Sequence, residues 1–191
     1  MPEVRQLSLP GVIEIVPERF KDGRGFFSET YNSEQLAGAG IRAGFVQDNH
    51  SLSVEVGTVR GLHYQLPPFA QAKLVRVARG AVFDVAVDIR RGSPTFGRWA
   101  GLVLSEKAWN QLLVPKGFAH GFMTLEPGTE VLYKVSAPYS PAHERAIRFD
   151  DPELGIAWPE IGRLSVLSVK DREAPFFANA DLFDYPAEAI P

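Results

Sequence analysis

Cysteine is absent from the chain, so neither a disulfide nor a thiolate-held metal can form, which suits a reducing compartment. Long apolar runs are missing too: none approaches the ~18 residues a membrane-spanning helix needs. The opening stretch, MPEVRQLSLPG, has neither a basic segment nor an apolar one, and no secretion signal is expected from it. Excess charge is small: 20 Lys and Arg against 23 Asp and Glu leave a net charge of −3. Such a chain has no general attraction to nucleic acid, and an anionic ligand must be held by a few placed cations. Internal repeats, linkers and low-complexity tracts are also lacking. The expectation is a cytoplasmic protein with no membrane or nucleic-acid partner, its residues 1–191 forming a single domain.

What is present is material for a core and for strands. The hydrophobic fraction is 45%, with 13 Phe. Helical periodicity is scarce; the one candidate is the segment 32–37, where Asn32 or Ser33 can cap a short helix that Gly38 and Gly40 stop. Strand patterns fill 12–16, 25–31, 45–53, 58–65, 73–79, 81–89, 99–104, 111–114 and 130–135. In 81–89, Ala81, Phe83, Val85, Val87 and Ile89 share one face, with Asp84 and Asp88 on the other. Turn signals at Arg79-Gly80, Gly92-Ser93-Pro94, Pro127-Gly128 and Ala137-Pro138 separate them. Many short strands at this spacing predict an all-β sandwich or jelly-roll barrel. The segment from about Pro175 is expected to lie over that barrel.

Among the four histidines, His143 lies in a polar stretch and reads as surface. His50, His63 and His120 each sit in or beside a strand, where a lone histidine is usually a hydrogen-bonded core residue. His63 stands out by its company, Val59-Arg60-Gly61-Leu62-His63-Tyr64-Gln65 followed by Lys73-Leu74-Val75-Arg76-Val77. Cations in mostly apolar strands need partners, and an anionic ligand is the economical one. A metal is the competing reading, since barrels of the cupin type use a His-x-His pair, a Glu and a later His. Here the second His of the pair is Gln65, and no Glu lies between Gln65 and Gly80, so no metal is expected. Tyr133, Tyr139 and Asp171 read, each alone, as a core ring, a loop ring and a loop charge.

Together these segments form a recognisable series. Asp22-Gly23-Arg24-Gly25-Phe26-Phe27-Ser28-Glu29 is followed by Gln47-Asp48-Asn49-His50-Ser51, Arg60-Gly61-Leu62-His63-Tyr64-Gln65 and Gln71-Ala72-Lys73-Leu74-Val75. Asp84-Val85-Ala86-Val87-Asp88-Ile89-Arg90, Gly92-Ser93-Pro94-Thr95-Phe96-Gly97, Pro115-Lys116-Gly117-Phe118-Ala119-His120-Gly121-Phe122 and Trp158-Pro159 complete it. The chain resembles the dTDP-4-dehydrorhamnose 3,5-epimerase family from residue 11 to residue 175. The resemblance implies a cupin-type jelly roll without metal or other cofactor, acting on a dTDP-sugar as a homodimer. It implies His63 as general base oriented by Asp171, Lys73 beside the sugar's carbonyl oxygen, and Tyr133 as general acid. It also implies substrate-binding roles for Arg24, Glu29, Gln47, Asp48, Asn49, Arg60, His120, Glu144 and Lys170, with Tyr139 stacking on the thymine. Arg24 and Glu29 are expected to reach the neighbouring subunit's site.

The chemistry agrees. Inverting a carbon next to a ketone needs a base on one face and an acid on the other, work that suits an imidazole (~6.5) and a phenol (~10). A fixed ammonium stabilises the enolate between the steps. Inversion at C3 alone, at C5 alone or at both fits these residues equally well. A metal-dependent cupin enzyme and a non-catalytic cupin are the alternatives of different class. One detail resists simple spacing: Arg60 and His63 have opposite parity, so a bulge at Gly61 or the length of Arg60 must bring both to one face.

Overall fold

The computed structural model describes residues 2–161 and 166–184. Its elements are, in chain order, β1 (Glu3–Gln6), β2 (Ile13–Val16), β3 (Phe20–Asp22), β4 (Gly25–Phe27), α1 (Ser33–Gly38), β5 (Gln47–Ser53) and β6 (Val59–Gln65). There follow β7 (Lys73–Arg79), β8 (Ala81–Asp88), β9 (Arg90–Arg91), β10 (Trp99–Ser105), β11 (Gln111–Val114), β12 (Phe118–Thr124) and β13 (Thr129–Val135). After β14 (Glu144–Ala146) come α2 (Val169–Arg172), a 3-10 turn (Phe177–Asn179) and β15 (Phe183–Asp184).

Two antiparallel sheets face each other as a jelly roll. One has the order β1-β2-β11-β7-β13-β5 and the other β10-β8-β12-β6-β14. Strand alternation distributes each strand's residues between two faces. Val75, Val77, Leu112, Val114 and Val131 meet Val82, Ala86, Leu104, Phe118 and Phe122 between the sheets. Leu62, Tyr64, Val85, Val87 and Ala119 point the other way, under a cover made by Ile147, Leu154, Phe177 and Phe183. Leu74 and Leu113 on the opposite outer face pack with Leu36 of α1 and with Ile41. β8 therefore has the parity its sequence suggests, but both of its faces are buried.

The expected helix is α1, with Asn32 Oδ1 accepting from the Glu34 and Gln35 amides. The strand expected over 25–31 stops at Phe27, and the one expected over 45–53 begins at Gln47. β12 has no polar alternation to betray it, because every one of its residues is buried. The segment after Pro175 does lie over the five-stranded sheet, through Phe177 and Phe183. Residues 185–191 fall outside the described ones.

Gly61 resolves the parity conflict. Opposite β12, the register runs from His120↔His63 to Phe122↔Arg60, which puts one extra residue into β6. Gly61 has φ +126, and a Cβ there would lie 2.6 Å from Gly121 Cα. Only glycine fits that close approach of two strands.

Candidate active site

Inward parity is what gathers the polar groups. On β7, Lys73 shares the face of Val75 and Val77; on β13, Tyr133 lies between inward Val131 and Val135; on β6, His63 and Gln65 alternate with outward Leu62 and Tyr64. On β5, Asn49 and Gln47 stand opposite Tyr133 and Val135. These residues, with Gln71, Tyr139 and Glu144, line an open cavity of about 320 Å³ at one end of the jelly roll. Tyr133 and Lys73 enter it from the six-stranded sheet, His63 from the five-stranded one.

His63 Nε2–H donates to Asp171 Oδ1 at 2.5 Å across 108 residues of sequence. Asp171 is fixed by the first turn of α2, where the Ser168 hydroxyl accepts from its amide at 3.1 Å and donates to its Oδ2 at 2.9 Å. Ser168 is thus the N-cap of α2, its hydroxyl bridging the amide and the carboxylate of Asp171. Burial works against the Asp171 carboxylate, but the hydrogen bonds and charge of His63, with Ser168 and Lys170, hold its pKa below the usual value. Burial pushes the Tyr133 phenol up, Glu144 adds to this and the Arg60 guanidinium opposes it, so the phenol stays protonated at neutral pH. Lys73 is only 8% exposed and donates to the His63 carbonyl at 3.1 Å. Burial brings its pKa down to about 8, against the pull of Asp84 and Glu144.

At the rim, Glu144 accepts from the Tyr139 hydroxyl at 2.7 Å and pairs with Lys170. Burial disfavours the Glu144 charge, but Lys170 and Tyr139 keep its pKa below the usual value. The Tyr139 ring is 55% exposed and its amide is held by Gln47 Oε1 at 3.0 Å.

Other expected positions lie elsewhere. Asp48 stands opposite Lys134, not on the face of Asn49, and accepts from its Nζ at 3.0 Å; alternation along β5 admits only Gln47 and Asn49 to the cavity. The expectation that Asp48 lines the site with its neighbours is corrected accordingly. His120 is buried on the inward face of β12, directly opposite His63, donating from Nε2 to Asp84 Oδ1 at 2.9 Å. Burial lowers its pKa first, with Lys73 and His63 adding to this against Asp84, so its ring is neutral. Arg60 bonds Ser53 Oγ and the Leu52 carbonyl. Arg24, its side chain 91% exposed, folds onto Asp22 at the tip of the β3–β4 hairpin, and Glu29 accepts from Gln35. Neither Arg24 nor Glu29 lines this cavity. Gln65, where a metal-binding barrel needs a second His, is tied to the backbone of Phe69, Pro138 and Ser140. Among the described residues, no group of three His, Cys, Asp or Glu is placed to hold a metal ion.

Asp84 is the group that sequence reasoning missed. The anion argued for from Lys73 is partly supplied by the protein itself, through Asp84 and Glu144. Its signal was an acidic residue between Val82 and Ala86 at an inward position of a strand. Gln71, whose Nε2 donates to the Ala137 carbonyl, also lines the cavity unannounced.

Comparison with known proteins places this geometry in context. The sequence model of the family described as dTDP-4-dehydrorhamnose 3,5-epimerase matches residues 6–179. The dTDP-4-dehydrorhamnose 3,5-epimerase of Sinorhizobium fredii is 53% identical over 171 residues, 90% of this chain and 87% of that protein. The crystal structure of the Bacillus anthracis dTDP-4-dehydrorhamnose 3,5-epimerase, with TDP and PPi bound, superposes with a TM-score of 0.89 at 48% identity, covering 92% of this chain and 99% of that one. The Legionella pneumophila dTDP-6-deoxy-D-glucose-3,5-epimerase, in complex with dTDP-4-keto-L-rhamnose, gives a TM-score of 0.93 at 42% identity, covering 98% of this chain and 100% of that one. A jelly roll whose cavity joins an imidazole, a phenol and an ammonium from facing sheets, and whose sequence matches over this length, belongs to the dTDP-4-dehydrorhamnose 3,5-epimerase family.

Proposed function

We propose that the protein converts dTDP-4-dehydro-6-deoxy-D-glucose to dTDP-4-dehydro-L-rhamnose by inverting C3 and C5 in turn. The observation that carries the mechanism is that His63 and Tyr133 reach one cavity from opposite sheets. With Nε2 committed to Asp171, His63 takes the α-proton on Nδ1. The C–H electron pair becomes the π bond between that carbon and C4, and the carbonyl π pair moves to oxygen, giving an enolate beside the Lys73 ammonium. Tyr133 returns a proton from the other face, which inverts the centre. His63 then holds an extra proton and Tyr133 lacks one, and exchange with solvent resets both. Asp171 favours the imidazolium that forms midway.

Gln47 and Asn49 bind the sugar end in this reading, and Glu144 and Lys170 the middle of the ligand. The exposed Tyr139 ring stacks on the base. The diphosphate is met by cations on this rim and by Arg24 of a second copy in a homodimer. That assembly is supported by apolar side chains left bare on the β3–β4 hairpin, with Phe27 64% exposed, and by the free edge of β5. In this reading the chain acts as a single domain and works in the cytoplasm, where nucleotide sugars are made and used. No helix among the described residues is long and apolar enough to cross a membrane.

The test is incubation with dTDP-4-dehydro-6-deoxy-D-glucose in D2O, with deuterium read at each carbon by NMR. Label at both C3 and C5 with inverted products is the expected outcome. Label at one carbon selects a mono-epimerase, and no exchange at all removes the enzymatic reading.

A further inference from the structure

Asp84 sits at the centre of β8 with no exposed surface, in a layer otherwise built from Val82, Ala86, Val75 and Phe122. Its Oδ1 accepts from His120 Nε2, a diagonal contact between neighbouring strands, since the residue directly opposite Asp84 is Phe122. Its Oδ2 is buried and has no hydrogen-bond partner among the described residues. A buried carboxylate oxygen left unsatisfied is destabilising, and an apolar residue of similar size fits such a layer at less cost. The sandwich therefore carries a charge that packing does not ask for. The cation it acts on is Lys73, on the facing strand β7.

We propose that Asp84, clamped by His120, is the positioning residue that holds Lys73 as an ammonium at the enolate oxygen. This rests on the reading of Lys73 as the enolate's counter-ion. Every element around Lys73 has been taken into account. β8 presents Asp84; β14 presents Glu144, engaged by Tyr139 and Lys170; β6 presents the His63 carbonyl; β12 presents neutral His120; β13 presents protonated Tyr133. Asp84 is thus the anion near Lys73 that has an oxygen to spare. Without it, burial alone would favour the neutral amine, which cannot stabilise an enolate charge.

The test is Asp84→Asn, which keeps shape and removes charge. Two readouts are followed against pH: kcat, and the Cε resonance of Lys73 in ¹³C-lysine-labelled protein without ligand. In the wild-type enzyme kcat is expected to fall as pH rises through about 8. In the variant both the alkaline limb and the Cε titration should move down by about one unit, so that kcat at pH 8 drops about fivefold while KM changes less than about threefold. A limb and a titration that stay in place overturn the proposal, even if the variant melts earlier. Should Asp84→Asn fail to fold, His120→Asn decides: it frees Oδ1 for Lys73, so the titration must move up, and no movement overturns the idea. If the wild-type chain proves inactive, the epimerase reading fails, while the Cε titration still reports whether Asp84 governs Lys73.

Discussion

The proposed roles make proton removal and proton delivery separable at the level of two side chains. In Tyr133→Phe, His63 can still take the α-proton, but the opposite face has no donor. The enolate should then be reprotonated mostly from the imidazolium, restoring the starting configuration. In D2O this variant should still exchange deuterium into substrate while inverted product falls by about 10²–10⁴-fold, the usual worth of a placed acid. His63→Asn should show neither exchange nor inversion. Inversion at near-normal rate in Tyr133→Phe would return Tyr133 to a packing role, which its half-buried place against the core also permits.

Two short elements set the angle of the His63 ring. The bulge in β6 turns His63 to the face that Arg60's parity would otherwise deny it, and it exists because Gly61 and Gly121 let the strands touch. Gly61→Ala adds a methyl 2.7 Å from the His120 carbonyl, at a φ of +126 that L side chains rarely adopt. A loss of about 1–3 kcal/mol of stability is expected, with turnover falling further than melting alone explains because His63 shifts. Calorimetry beside the D2O assay checks this; unchanged melting and turnover would show that β6 needs no glycine. On the other side of the ring, a single helical turn suffices to aim Asp171, because the Ser168 cap fixes both its amide and its carboxylate.

The whole molecule works by opposing two walls. A single sheet presents its inward groups from one side, whereas a sandwich offers a substrate two faces at once, as inversion requires. Completion by a second copy belongs to this scale. If the proposed homodimer forms through this hairpin, Phe27→Asp should leave the core intact, since β3 and β4 pair only with each other, yet yield single chains and raise KM as Arg24 loses the neighbouring site. Sedimentation with a substrate titration reads both, and a variant that stays paired with unaltered KM excludes this hairpin as the contact. Much of this was legible in the chain. Alternation marked most of the strands, Asn32 marked the helix, and the motif series marked His63, Lys73, Tyr133 and Asp171 as one site. Those signals are local, carried by two-residue periodicity and by motif spacing. β12 escaped because a strand buried on both faces has no polar alternation to show. Asp48 was misplaced because a motif states that a residue is present, while parity decides where its side chain goes. The contacts that set the chemistry were decided only by tertiary structure. They join His63 to a carboxylate 108 residues away and set Asp84 and Lys73, from facing sheets, within electrostatic reach of each other. No local pattern encodes such a contact, because the energy that fixes it comes from closing the whole sandwich around a shared core.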